Sequence, residues 1–177
     1  MMRVFYFIIF LFSGITSFSQ ESSTSSQFSL NLLAPSAEYE LAVSVNSTID
    51  FDLGVGLAYY NSSYSGEAFG VFPGLELQYR YYYNFEKRFD NGKKISENSA
   101  NYISGVASVT GGKPIIGNLE YSNDYGGFIG PAWGLQRVYN SGFKLNLNLG
   151  LGLGFNDTSD VYLTPLFGLQ LGWIITK

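Results

Sequence analysis

The sequence predicts an all-β protein: a single antiparallel up-and-down transmembrane β-barrel of about eight strands. Three observations carry that expectation. Apolar and polar residues alternate with a period of two along most of the chain. Only 14% of the 177 residues are charged, against about 25% in an ordinary soluble domain, while Gly contributes 21, Phe 15 and Tyr 14. Beyond the N-terminal segment, no uninterrupted apolar stretch approaches the roughly 20 residues of a spanning helix, so any membrane crossing must be made by strands.

The chain opens with the pattern of an export signal. Arg3 supplies a positive start, 4–12 (VFYFIIFLF) is apolar throughout, and Ser17-Phe18-Ser19 puts small residues where cleavage before Gln20 needs them. The apolar run is too short for a transmembrane anchor. The expected organisation is a signal peptide over 1–19 and one barrel domain over 20–177.

Strand one, 28–34, starts on Phe28, Leu30 and Leu32. Strand two, 37–46, sets Tyr39, Leu41, Val43 and Val45 against Glu38, Glu40, Ala42 and Ser44. Ala34-Pro35-Ser36 between them reads either as a turn or as a kink in one long strand. Strand three, 50–61, alternates Phe51, Leu53, Val55, Leu57 and Tyr59 with Asp52, Gly54, Gly56, Ala58 and Tyr60. In strand four, 70–85, the odd positions Val71, Leu75, Leu77, Tyr79, Tyr81, Tyr83 and Phe85 face Phe72, Gly74, Glu76, Gln78, Arg80, Tyr82 and Asn84. Strand five, 101–110, has the weakest pattern, because neither face is clearly apolar. Strand six, 125–139, carries Ile129, Trp133 and Leu135, and strand eight, 161–175, carries Val161, Leu163, Phe167, Leu169, Leu171, Trp173 and Ile175.

Strand seven, 142–155, is the strongest. Every odd position from Phe143 through the leucines to Phe155 is apolar, and every even one is Lys144, Asn or Gly. A strand gathers these leucines on one face, whereas a helix would scatter them. Phe143 and Phe155 would then lie roughly 28 Å apart along the normal of a tilted barrel, close to its ~25 Å apolar band. Aromatic girdles are accordingly expected from Tyr59, Tyr81, Tyr83, Phe85, Phe143, Phe155 and Trp173. With the N-terminus in the periplasm, turns on that side fall near 46–48, 86–100 and 140–142, and outer loops near 62–69, 111–124 and 156–160. The 86–100 segment, EKRFDNGKKISENSA, holds four of the ten basic residues and reads as a solvated loop.

The opposite parity collects Glu38, Glu40, Asp52, Glu76, Gln78, Arg80 and Lys144 in the lumen. Paired carboxylates serve acid/base hydrolysis in some enzymes. The plainer reading is an ion-paired network filling an eight-stranded interior, which is just wide enough for side chains. Arg80 is expected to be the chief cation, with Glu76 and Asp52 as its partners. The glycines of 150–154 (GLGLG) read as small lumen residues inside a strand, since a nucleotide-binding loop needs a helix after it. Arg137 falls on the outward face near the periplasmic end, where its long side chain can reach water.

Composition narrows the chemistry further. Cysteine is absent, which removes disulfides, thiolate catalysis and lipoprotein anchoring, and histidine is absent, which removes the usual general base and commonest metal ligand. A net charge of −4 without a basic face speaks against nucleic acid. No enzyme, cofactor or metal site is expected.

With these elements placed, the chain resembles the small outer-membrane β-barrel proteins of the OmpA-like or porin family. The likeness rests on Asn31-Leu32-Leu33-Ala34-Pro35, on 77–82 (LQYRYY), on 127–131 (GFIGP) and on 168–173 (GLQLGW). It implies insertion among outer-membrane lipids of a Gram-negative bacterium, aided by the barrel-assembly machinery. The family's last residue is usually aromatic; this chain closes on Ile-Thr-Lys, a departure in the assembly signal. No peptidoglycan-binding domain is expected after the barrel. The family's barrel enzymes use a catalytic histidine, which this chain lacks. The leading expectation is a non-enzymatic barrel with an envelope-structural or surface-interaction role, its surface ligand unspecified. The alternatives are a narrow porin-like channel for small solutes and a soluble lipocalin-like barrel holding an apolar ligand.

Overall fold

A computed structural model describes residues 24–62 and 66–176; the expected signal segment lies outside the described residues. The strands are β1 (Gln27–Asn31), β2 (Ser36–Ser44), β3 (Ser47–Ser62), β4 (Gly66–Tyr82), β5 (Asn101–Gly111), β6 (Ile116–Gly117), β7 (Tyr125–Val138), β8 (Phe143–Asn156) and β9 (Val161–Thr176), with one short helix, α1 (Phe85–Asp90). Eight of them form a closed ring of antiparallel pairs: each long strand bonds the next along the chain, β5 bonds β7, and β9 returns to β1. The two-residue β6 sits outside this ring, paired with Gly70 and Val71 of β4. Because β1 and β2 are short, closure is confined to one end of the ring: β9 pairs with β1 over Gly172–Thr176, and β3 with β2 over Ser47–Gly54.

The register keeps like faces together. Phe51 lies opposite Leu77 and Leu53 opposite Leu75 on the outside, while Glu38 faces Asp52 and Thr48 faces Arg80 on the inside. A slip of one residue would turn every one of these side chains to the other face, so the alternation itself pins the pairing. Phe143 of β8 meets Trp173 of β9 edge-on at 5.1 Å, and Tyr139 lies 5.9 Å from Phe143. These rings gather at the end that holds the first residue of β1 and the last of β9, called here the terminus end.

The structure settles two elements and corrects a third. Residues 28–44 are two strands joined by a turn at 32–35, not one kinked strand. The weak stretch at 101–110 is a full strand with clean parity: Tyr102, Ser104 and Val106 point inward, and Ile103, Gly105, Ala107 and Val109 outward. Its pattern is obscured because the interior accepts a Tyr and a Val while the outer face carries a Gly and an Ala.

The correction is at the end of β4, which stops at Tyr82, so Phe85 is not a girdle residue. The chain turns at 83–84, and Phe85 opens α1 with its ring only 4% exposed, stacked on Tyr82 at 5.1 Å. Parity ceases to predict a side once a strand ends. The Asn84 side chain accepts the Asn101 N–H at 2.8 Å and holds the two ends of this connection together. The 86–100 segment is likewise not simply a solvated loop: Asn98, Ser99 and Ala100 are buried.

Candidate functional site

Among the described residues the buried polar side chains outnumber the buried apolar ones, the reverse of a soluble domain. Arg80 and Lys144 are among the largest side chains with no exposure at all. The interior they occupy is the candidate site.

Arg80 reaches inward from β4. Its Nη2 donates to Asp50 Oδ2 at 2.7 Å, and its Nη1 lies 3.4 Å from Glu38 Oε1 and 3.9 Å from Glu40 Oε2. Nε donates to Gln78 Oε1 at 3.0 Å, and the guanidinium carbon stands 5.0 Å from the centre of the Tyr102 ring, within cation–π range. Lys144 reaches from β8 to the other oxygen of Glu38 and donates to Ser29 Oγ at 2.7 Å. Glu38 is thus clamped between the two cations.

Neutral donors supply most of the remaining contacts, although the buried Asp50 Oδ1 and Gln27 Oε1 have none among the described residues. Glu40 accepts from Tyr82 at 2.6 Å, Thr48 and Gln27 at 2.7 Å, and Gln136 at 3.1 Å. Asp52 Oδ2 accepts from Gln170 at 2.7 Å and Ser36 at 3.0 Å, with Asn31 at 3.3 Å. Tyr102 donates to Asn146 at 2.7 Å. Every strand of the closed ring contributes at least one side chain. Such a network tolerates buried charge because each carboxylate meets a cation or several donors.

The structure brings Glu38, Glu40, Asp52, Gln78, Arg80 and Lys144 together in this network. Glu76 is only half-buried and joins it indirectly, accepting from Gln78 Nε2 at 2.6 Å. The expected Arg80–Glu76 and Arg80–Asp52 pairs are replaced by Asp50, Glu38 and Glu40. The reason is geometric: residues i and i+4 on one strand are about 13 Å apart, whereas facing strands bring side chains into contact. Asp50, Gln27, Asn31, Thr48, Tyr102, Gln136 and Gln170 were not singled out from sequence. Asp50 shares parity with Asp52 and could have been found that way; the others are uncharged and carry no such flag.

Of the expected girdle, Tyr59, Tyr81, Tyr83 and Trp173 are exposed on the outer face, and Phe143 and Phe155 are partly covered by neighbours. Trp133 joins them, its Nε1 donating to the Tyr83 hydroxyl at 2.8 Å.

The two ends differ. At the terminus end the chain after α1 folds over the opening: Gln136 Nε2 contacts the Glu97 carbonyl at 3.3 Å, Asn98 exchanges two 2.8 Å hydrogen bonds with the Ser25 backbone, and Ser99 Oγ accepts the Val138 N–H. Phe85, Tyr82, Ala100 and Tyr102 form an apolar cluster beneath. Toward the loop end, Val106, Phe128 and Ala132 fill one side of the lumen. A cleft of about 180 Å³ remains on the other side, with Asp52, Glu76, Gln170 and Thr110 in its wall. Among the described residues no acidic cluster is arranged to hold a metal ion.

The fold and the site together define a class: a closed eight-stranded antiparallel barrel, polar inside and apolar outside. Comparison with protein-family models, curated proteins and solved structures yields no match for this chain.

Proposed function

We propose that this protein is an outer-membrane β-barrel of the OmpA-like or porin type, without enzymatic activity, that serves the envelope as a structural element or through its outer loops. The observation that carries the reading is the inverted distribution of polarity. Leu53, Leu57, Phe69, Leu163 and Phe167 are each more than half exposed, while Glu38, Asp50, Arg80 and Lys144 are wholly buried. Water does not favour such a surface over so large a continuous area, but a hydrocarbon phase does. No helix among the described residues is long and apolar enough to span a membrane, so strands would do the crossing. Export through the N-terminal signal, periplasmic passage and insertion by the assembly machinery follow from the same reading.

The filled interior favours a structural role over a solute channel. It also argues against a lipocalin-like ligand site, which needs an apolar cavity. Fractionation tests the proposal: the protein should stay with outer membranes through alkaline carbonate washing and leave only with detergent. Release by carbonate alone would overturn it.

A further inference from the structure

One cleft at the terminus end is lined by cations without a facing carboxylate. It encloses about 190 Å³, and its charged wall consists of Lys87, Arg88, Lys93 and Arg137, with asparagine amides completing it. Arg88 donates to the Lys94 carbonyl at 2.9 Å, and Arg137 to the Gln136 carbonyl at 2.7 Å and to Asn101 Oδ1 at 2.5 Å. Both guanidiniums are therefore held by neutral acceptors, and both line the same cleft. Among the described residues none of the four cations makes an ion pair, and the buried Arg88 Nε has no hydrogen-bond partner. Glu97 is occupied by Lys94 at 2.6 Å. Assembling like charges in this way is unfavourable until an anion enters. At about 30 Å³ per water, the space accommodates a phosphoryl group.

A second feature continues along the same outer face. On β5, Gly105 and Ala107 leave an apolar furrow of about 350 Å³, walled by Leu77, Tyr79 and Ile129. A side chain added at Gly105 would meet nothing within 4 Å. Gly105 lies four residues along β5 from Asn101 in the cationic cleft, about 13 Å, within the roughly 15 Å depth of one hydrocarbon leaflet. Between the two stand Ile103 and the Trp133–Tyr83 hydrogen bond.

We infer that this face binds one anionic glycerophospholipid, its phosphate in the cleft between Arg88 and Arg137 and an acyl chain in the furrow over Gly105. The inference rests on the membrane reading proposed above. Charge complementarity selects the headgroup, and the furrow selects a lipid over a free anion.

Trp133 reports on the site directly. The full-length protein carrying Trp173→Phe is placed in phosphatidylcholine vesicles containing acyl-brominated phosphatidylglycerol or, in parallel, acyl-brominated phosphatidylcholine, and quenching of Trp133 is measured. The anionic lipid should quench at about fivefold lower mole fraction. Arg88→Gln with Arg137→Gln should bring the two lipids to parity, and Gly105→Leu, which has room to fold, should reduce quenching by the anionic lipid. Lys113→Gln, far from the cleft, should leave the preference intact. Equal quenching by both lipids in a carbonate-resistant protein would overturn this inference and leave the membrane reading standing. Loss of the preference in Lys113→Gln, or calorimetric binding of inorganic phosphate to detergent-solubilised protein as tight as that of the lipid, would also overturn it. Carbonate release would overturn both.

Discussion

At Arg80 a guanidinium shielded from solvent faces Asp50, Glu38 and Glu40 at once. Removing it leaves three buried carboxylates without their shared cation, a type of change that typically costs about 3–5 kcal/mol. Arg80→Ala should therefore lower stability by that amount in denaturant titrations of the refolded barrel. Lys113 pairs with Asp124 at 3.8 Å with both side chains largely exposed, and Lys113→Ala should stay within about ±0.5 kcal/mol. Lys144→Met removes the second cation on Glu38, so combining it with Arg80→Ala should deviate from additivity, since both act on one carboxylate. Equal stability of Arg80→Ala and Lys113→Ala would mean that the guanidinium is solvated, and a water-filled lumen would then be the better description.

Strands and helix each present a sharper case at one position. On β7, Gly134 lies against the Tyr102 ring so closely that an added Cβ would come within 2.2 Å of Cζ. Tyr102 cannot retreat, because it is packed against Tyr82 at 5.4 Å and hydrogen-bonded to Asn146. Gly134→Ala should cost about 1–3 kcal/mol through overpacking. Gly105→Ala, on the open outer face of the neighbouring strand, should be near neutral. The helix α1 offers the complementary comparison. Phe85 is buried against Tyr82, Ala100 and Tyr102, whereas Phe89 is 68% exposed. Phe85→Ala should cost about 3 kcal/mol and open the 86–100 segment to limited proteolysis, while Phe89→Ala should do neither. Identical digestion of the two variants would show that α1 does not help close the barrel.

The molecule as a whole is a ring whose eight strands all send polar side chains to one interior network, and the segment after α1 closes the terminus end. In planar bilayers the intact protein should show no steady ion conductance; a stable open channel in the unmodified protein would favour the narrow-pore alternative. The outer face should respond to lipid by depth. Leu149 is midway along β8, and Leu149→Arg should destabilise the inserted barrel by about 2–4 kcal/mol, with much smaller losses for the same change near either girdle. Spin labels at 147, 149 and 151 should collide with lipid-soluble oxygen and those at 146 and 148 should not; indistinguishable accessibility would remove the membrane reading.

By itself the sequence determined the all-β class, the positions of most strands and, within those strands, the side most residues face. Period-two alternation is local, and closure is only its repetition around a ring. It also placed Glu38, Glu40, Gln78, Arg80 and Lys144 on one surface by parity alone. Tertiary structure decided what parity cannot encode. Which carboxylate meets Arg80 depends on cross-barrel distance, which no spacing along one strand reports, and so Asp50 displaced Glu76. The fate of Phe85 depended on where β4 ends, and that was settled by a pocket built from Tyr82, Ala100 and Tyr102. The cleft holding Arg88 and Arg137 likewise joins a helix to a strand roughly fifty residues away. In sequence Lys87, Arg88 and Lys93 belong to a solvated charge block and Arg137 to the outward face of a strand; the fold puts them side by side, because contacts between distant segments arise from chain closure and not from any local pattern.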